Sequence, residues 1–477
     1  MDKLNLNLAV DKIAVYDGNG QPAVGIPSGW PDVRYFDKHY SIFHYTPEEI
    51  KEKFKVEFPF AWGDVSVDTR TEIEKRIWPH HSVAHFPNEN INIEYNSVDY
   101  FVNKGDNFLY LIHVTDDTLF KGEPWKINDK VIDKCKEGAA KVLIFFSAEG
   151  YINHPPPLKW LNRFAEYNKL TKESLIFTHA NLTLDKCISE MKQTGFTPMF
   201  SNIPLNYFEY NPWFIKSPNL NFERERLLPF LEKFIVDNRK KKFKKHFNIL
   251  NRRPHMHRIF LFSEVMSTPA LKNTSDISFG STVHNNLFEE KYIYSRFEDA
   301  ITKIPEYEKN LEFIKTWDFN SELTLDKNLD DNRAGEYTRS FYKDYFCSLT
   351  VETAVLINQM FFSEKTFKPI FNLQPFLIFG DAFSLEHLQK LGYKTFSNWW
   401  DESYDQNEDW LQRLKHISKI MQDISTWSDD KMYAITQEME ETLVHNFYNF
   451  LYNRRYYEYI KEVTTFKTKP KSIRKLI

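Results

Sequence analysis

Ser363, Glu364 and Lys365 stand between an apolar, strand-like run and a helix-like run, and their types suit a ligand that carries phosphate. Serine is a preferred helix cap because its side-chain oxygen satisfies an otherwise unpaired N–H of the first turn. A lysine in that first turn sets a cation beside the positive end of the helix dipole, so that both act on one anion. A neighbouring carboxylate such as Glu364 can accept both hydroxyls of a ribose. The chemistry such a group could assist is departure of a nucleoside diphosphate, whose about two to three negative charges must be neutralised as its bond to carbon breaks. The same three residues also make an ordinary helix start, a cap followed by an acidic first-turn residue.

The elements around this triplet alternate. FLYLIHV, KVLIFFSAEG and ESLIFTHAN in the first half are buried-strand runs separated by helical stretches such as INDKVIDKCKEGAA. In the second half FNIL, FCSLTVET and QPFLIFG are strands, while HRIFLFSEVM, SEKTFKPIFN and SLEHLQKLG are helices. Strand–helix alternation predicts parallel α/β sheets, whose ligands sit beyond the carboxyl ends of the strands. That rule places Ser147–Gly150 and Thr178–Asn181 on a candidate functional edge. A change of pattern near residue 238, after the basic run Arg239–His246, predicts a second α/β domain.

Composition narrows the chemistry. Only 14 of 477 residues are Gly, and neither G-x-G-x-x-G nor G-x-x-x-x-G-K-[ST] occurs, which speaks against a glycine-loop dehydrogenase or P-loop NTPase. A nucleotide site here must be built from side chains and helix ends. With 62 Lys plus Arg against 66 Asp plus Glu, the net charge of −4 gives no global field for nucleic acid. Three dispersed cysteines support neither a disulfide framework nor a zinc ribbon. His80, His81 and His85 lack a carboxylate or thiolate at ligand spacing, so no metal is expected. MDKLNLNLAVDK is charged where a signal peptide needs an apolar run, and no stretch reaches the ~20 apolar residues of a membrane span. A soluble, cytoplasmic protein is therefore expected. The 42 Phe, 25 Tyr and 11 Trp exceed what sugar stacking could use, although NYFEYNPWF and SNWWDESYD would suit an acceptor cleft.

TVETA, FFSEKTF and QPFLIFG, within Ser348–Gly380, resemble the donor-binding motif of the alpha-1,3-fucosyltransferase family. Glu352, Glu364, Lys365, Pro375 and Gly380 match, whereas Thr353, Phe362 and Ser363 stand where the family has Asn, Val and Thr. FNILNRRPHMHRIFLFSEV resembles the family's opening of the nucleotide domain. By position the resemblance gives the diphosphate to Arg258, with Asn251 at the strand end and Arg252 and Arg253 close by. It further implies that Glu149, after KVLIFFSAEG's strand, is the base that takes the acceptor hydroxyl's proton; His154 is the reserve and His179 a weaker one. Glu352 would face the sugar or the oxocarbenium-like charge.

The expected architecture is α/β of GT-B type, two Rossmann-like domains facing a central cleft with C-terminal helices. The expected divisions are an N-terminal extension over 1–100, an acceptor-side domain over 101–237, a donor domain over 238–425 and closing helices over 426–477. The expected activity is an inverting, metal-independent glycosyltransferase that needs no cofactor, with a GDP-fucose-like nucleotide sugar as first-choice donor and a glycan hydroxyl as acceptor. Two other readings stay open: transfer to a modified base of DNA, with the Lys-rich run on phosphates, and a carbohydrate- or nucleotide-binding protein without turnover.

Overall fold

The computed structural model describes residues 4–10, 15–16, 22–23, 91–114, 120, 123–146, 155–206, 209, 242–251, 253–280, 289–323, 325, 339–353, 355, 360–452 and 455–466. The chain divides into two compact units, Met1–Pro212 with Arg454–Ile477, and Trp213–Asn453.

The first unit is built on β1 (Leu4–Val10), β2 (Ile91–Ser97), β3 (Phe108–Val114), β4 (Ala140–Phe146), β5 (Leu175–His179) and β6 (Ser201–Asn202). They form a parallel sheet in the order β2-β1-β3-β4-β5-β6. β4 reads AKVLIFF and is buried at every position but Lys141, and β5 is buried throughout. Burial of both faces is what a parallel sheet covered by helices requires, which is why these strands are continuous apolar runs. The helices are α1 (Val98–Lys104), α2 (Asp129–Lys136), α3 (Pro155–Tyr167) and α4 (Leu184–Gln193). Asn128 caps α2 by accepting the N–H of Lys130, and prolines open α3, where their missing N–H costs nothing. Trp160 of α3 stacks on Phe164 at 5.2 Å, and Trp125 and Phe120 meet Trp160 at 5.6 and 5.5 Å.

The second unit holds β7 (Lys245–Ile249), β8 (Ser275–Ile277), β9 (Tyr345–Val351) and β10 (Phe376–Phe379), parallel in the order β8-β7-β9-β10. Its helices are α5 (Met256–Ser267), α6 (Pro269–Thr274), α7 (Glu290–Lys303), α8 (Glu308–Thr316), α9 (Glu364–Phe371), α10 (Ser384–Lys390), α11 (Trp410–Ser425), α12 (Asp429–Glu438) and α13 (Glu440–Tyr452). Phe260 lies almost parallel on Phe297 at 3.8 Å, and Phe262 on Phe279 at 4.1 Å. Each buried ring contributes roughly 1.5–3 kcal/mol. The aromatic residues of SNWWDESYD are packing too: Phe396 meets Trp400 at 5.3 Å and Phe376 edge-on at 5.0 Å. Its acids serve backbone, Glu402 accepting the N–H of Phe396 and Asp405 that of Leu385 at the start of α10.

One helix departs from the expected divisions. α14 (Arg455–Val463) belongs to the first unit, so the chain returns there after completing the second. Tyr459 and Thr178 share a hydroxyl–hydroxyl bond of 3.0 Å, Arg455 pairs with buried Glu209, and the Val463 carbonyl accepts from Lys141. The second unit also begins before residue 238, at Trp213. Among the described residues no helix is long and apolar enough to cross a membrane.

A buried charge fixes the helices behind the second sheet. Glu264 of α5 accepts from Lys415 at 2.9 Å, Ser418 at 2.7 Å and Asn310 at 2.9 Å, joining α5 to α8 and α11. Burial opposes its ionisation, but Lys415, Ser418, Lys309 and Asn310 outweigh that and hold its carboxyl below the usual range. A depressed carboxyl stabilises at neutral pH and loses that contribution as pH falls through its folded-state pKa. Glu264→Ala should lower stability at pH 7 by about 3 kcal/mol in urea denaturation, with a smaller difference from wild type near pH 3; an unchanged midpoint at pH 7 would contradict the clamp.

Candidate functional site

In the second sheet the strand order reverses between β7 and β9, and the crevice beyond their carboxyl ends is where open parallel sheets take ligands. The residues that follow each strand meet there. Asn251, just past β7, donates from Nδ2 to the Arg258 carbonyl at 2.9 Å, and its N–H reaches Ser278 Oγ past β8 at 2.9 Å. Asn251 is wholly buried, and its Oδ1 has no hydrogen-bond partner among the described residues.

α5 starts beside it and spans the reversal. The Arg258 guanidinium, 3% exposed, donates to the Val351 carbonyl at the end of β9 and to the Arg253 carbonyl, at 3.1 and 3.3 Å. His257 donates from Nε2 to the Glu352 carbonyl at 3.0 Å. Burial, helped by Arg258, pushes the His257 imidazole well below its ordinary range, so it is neutral. Arg258 thus places its charge at the site while one of its donors ties α5 to β9 and another holds the loop after β7.

Glu352 follows β9 directly and is 2% exposed. Its Oε1 accepts the Ser363 N–H at 3.0 Å and the Thr366 hydroxyl at 2.6 Å, and its Oε2 accepts the Ser363 hydroxyl at 2.6 Å. Burial pushes its pKa up, opposed by Lys365 and these hydroxyls. These bonds give Glu352 a positioning part at the start of α9. Gly380 makes room for it, since an added Cβ would lie 3.4 Å from the Glu352 Cβ and Cγ and 3.1 Å from Ser384 Oγ.

Ser363 caps α9 as expected, accepting the N–H of Lys365 at 3.3 Å. Lys365 Nζ pairs with Glu364 at 2.7 Å and reaches Ser363 Oγ at 3.3 Å. Burial works against the Glu364 carboxylate, yet Lys365 holds it below the usual range, so the pair is ionised. Across from this helix start lies His255, the cap residue of α5, whose side chain makes no capping bond. Burial and the charges of Arg258, Arg253 and Lys365 push its imidazole down to about 4. The structure therefore gathers Asn251, Arg258, Glu352, Ser363, Glu364 and Lys365 at one edge and adds His255 and His257. The sequence signal for the histidines was only their alternation in RPHMHR, with no carboxylate or cysteine near enough to suggest a role.

Glu149, His154 and Arg252 lie outside the described residues, as do His80, His81 and His85. In the first unit His179 ends β5, buried, with Nε2 against Asn202 Oδ1 at 2.6 Å and Asn202 Nδ2 donating to Asp185 at 2.8 Å. Burial pushes its imidazole down to about 4, so it is neutral. The described end of the basic run is bound internally: Lys244 and Lys245 pair with Asp276 at 3.0 and 2.8 Å, and His246 bonds the Trp427 carbonyl.

No protein-family model matches the sequence, and no curated protein matches it. Among solved structures it is similar to the N-terminal domain of trehalose-6-phosphate phosphatase from Candida albicans, at 10% identity over 88% of this chain and 82% of that one, with a TM-score of 0.34. It is also similar to alpha,alpha-trehalose 6-phosphate synthase from Burkholderia multivorans, at 10% identity over 97% and 99%, with a TM-score of 0.37. Likeness at that level decides nothing about the site.

Ser363→Ala removes both the cap of α9 and one donor to Glu352. It should lower the urea midpoint by the equivalent of about 1–3 kcal/mol; a wild-type midpoint would mean that the clasp does not hold the helix.

Proposed function

We propose that the chain is a glycosyltransferase of GT-B type that moves a sugar from a nucleoside-diphosphate donor to an acceptor hydroxyl, with inversion and without a metal. The observation that carries the reading is the convergence of Arg253, Arg258 and Lys365 on one imidazole where two helices begin, at the strand-order reversal of a parallel sheet. Cations and N-terminal N–H groups set there before the reaction favour a leaving group whose negative charge grows as the glycosidic bond breaks. The stabilisation rises towards the transition state, so it speeds the chemical step as well as binding. Glu364, ionised beside Lys365, suits the two hydroxyls of a ribose. The motif resemblance favours a GDP-linked, fucose-like sugar, and a glycan hydroxyl as acceptor.

In this mechanism the acceptor hydroxyl attacks the anomeric carbon from the face opposite the diphosphate. Its proton passes to Glu149, the carboxylate that the resemblance assigns, and the C–O bond to the diphosphate breaks as the new bond forms.

Lys365→Ala should cut transfer about 100- to 1,000-fold and weaken nucleoside-diphosphate binding; unchanged turnover and affinity would remove the donor assignment. For Glu149→Gln the expected result is a fall in kcat of about 100-fold or more, with diphosphate affinity unaltered. Wild-type kcat in that variant would send the search for the base elsewhere.

A further inference from the structure

His255 is placed where an ordinary helix cap would be, yet its side chain makes no capping bond. Its Nε2 is buried and has no hydrogen-bond partner among the described residues. A polar nitrogen in that state loses its hydration without compensation, a cost that a water, an ion or a ligand group relieves. The ring lies parallel to His257 at 6.0 Å. The charged and titratable groups around it are Arg253 and Arg258 from its own segment, Lys365 with its partner Glu364 from α9, neutral His257, and the Glu352 carboxylate held by Ser363 and Thr366. The groups whose charge reaches the ring are all cationic. A second buried atom at this edge, Asn251 Oδ1, is likewise left without a partner among the described residues.

We propose that His255 is a phosphate-contacting residue of this site, its Nε2 donating a hydrogen bond to an anionic oxygen of the leaving diphosphate. The inference rests on the donor-site reading above and adds a residue and a proton to it. In the resting protein burial and, after it, the three cations keep the imidazole neutral. A bound diphosphate brings about two to three negative charges into their midst and reverses the balance, so the ring takes up a proton from solvent and the hydrogen bond becomes one between ions. Linkage then fixes the sign: a ligand that raises a pKa from about 4 binds more tightly as pH falls from 7.5 towards 5.5. The proton is held at the leaving group and is distinct from the one that the acceptor hydroxyl surrenders.

The test is calorimetric titration of the full chain with GDP and, separately, inorganic pyrophosphate, in buffers of different ionisation enthalpy at pH 6.5. Wild type should take up protons beyond those taken up by the ligand itself, whereas His255→Gln should show only the ligand's share and bind about tenfold more weakly. The His255 Cε1–H resonance, followed in wild type against pH with and without pyrophosphate, reads the same event without a substitution and should titrate at higher pH when the ligand is present. An equal proton count and affinity in both proteins, or a resonance that does not move, overturns the assignment while leaving the donor site standing. Absence of binding by wild type to either ligand removes the donor site and His255 together.

Discussion

The buried carboxylate of Glu352 is the contact on which the second unit's edge depends. It follows one strand directly and receives two hydroxyls and one N–H from the start of α9, eleven and fourteen residues further on. Its bonds, with that of the Thr350 hydroxyl to the Lys365 carbonyl at 3.3 Å, hold the first turn of α9 on β9 and so place Lys365. The same residue lends its carbonyl to His257, so α5 and α9 are both registered on one strand end. A carboxyl is costly to bury: burial pushes its pKa up, and Lys365 with the Ser363 and Thr366 hydroxyls offsets part of that cost.

The surrounding charges reinforce that geometry by different means. Arg258 is a cation at the site and a brace across the strand reversal, since its guanidinium holds two carbonyls. Arg413 does similar work one strand over, donating to the carbonyls of Gly380 and Val355 from within the core. Positive charge is thus fixed by backbone acceptors and needs little rearrangement to meet an anion. A chain with 14 glycines in 477 residues can build such a site because the close approaches are made by side chains.

Much of this was legible in the amino-acid sequence, for reasons that differ by residue. The strands of the second sheet could be read because parallel strands buried on both faces must be apolar throughout, as in FLIF and YFCSLTV. Ser363 could be read as a cap because capping is local. Glu352 could be placed but its job could not, because that job depends on how the chain folds back between β9 and α9. His255 is not legible for the same reason: its surroundings include Lys365, more than a hundred residues away. The aromatic excess also resolved only in three dimensions, where Phe260, Phe262, Trp160 and Trp400 prove to be core.

The return of α14 to the first unit carries a consequence for how the molecule is made. β6 leaves the ribosome about 250 residues before Arg455, a delay of roughly 10–50 seconds at about 5–20 residues per second. Throughout that interval Thr178, Glu209 and Lys141 lack the partners that Tyr459, Arg455 and Val463 will supply. The second unit, contiguous in sequence, has every strand and helix it needs before the first unit has its last. Assembly therefore finishes out of chain order, with the first unit completed by a helix synthesised after the second unit. Chaperones that shield nascent apolar surface would find their longest-lived client in the amino-terminal half.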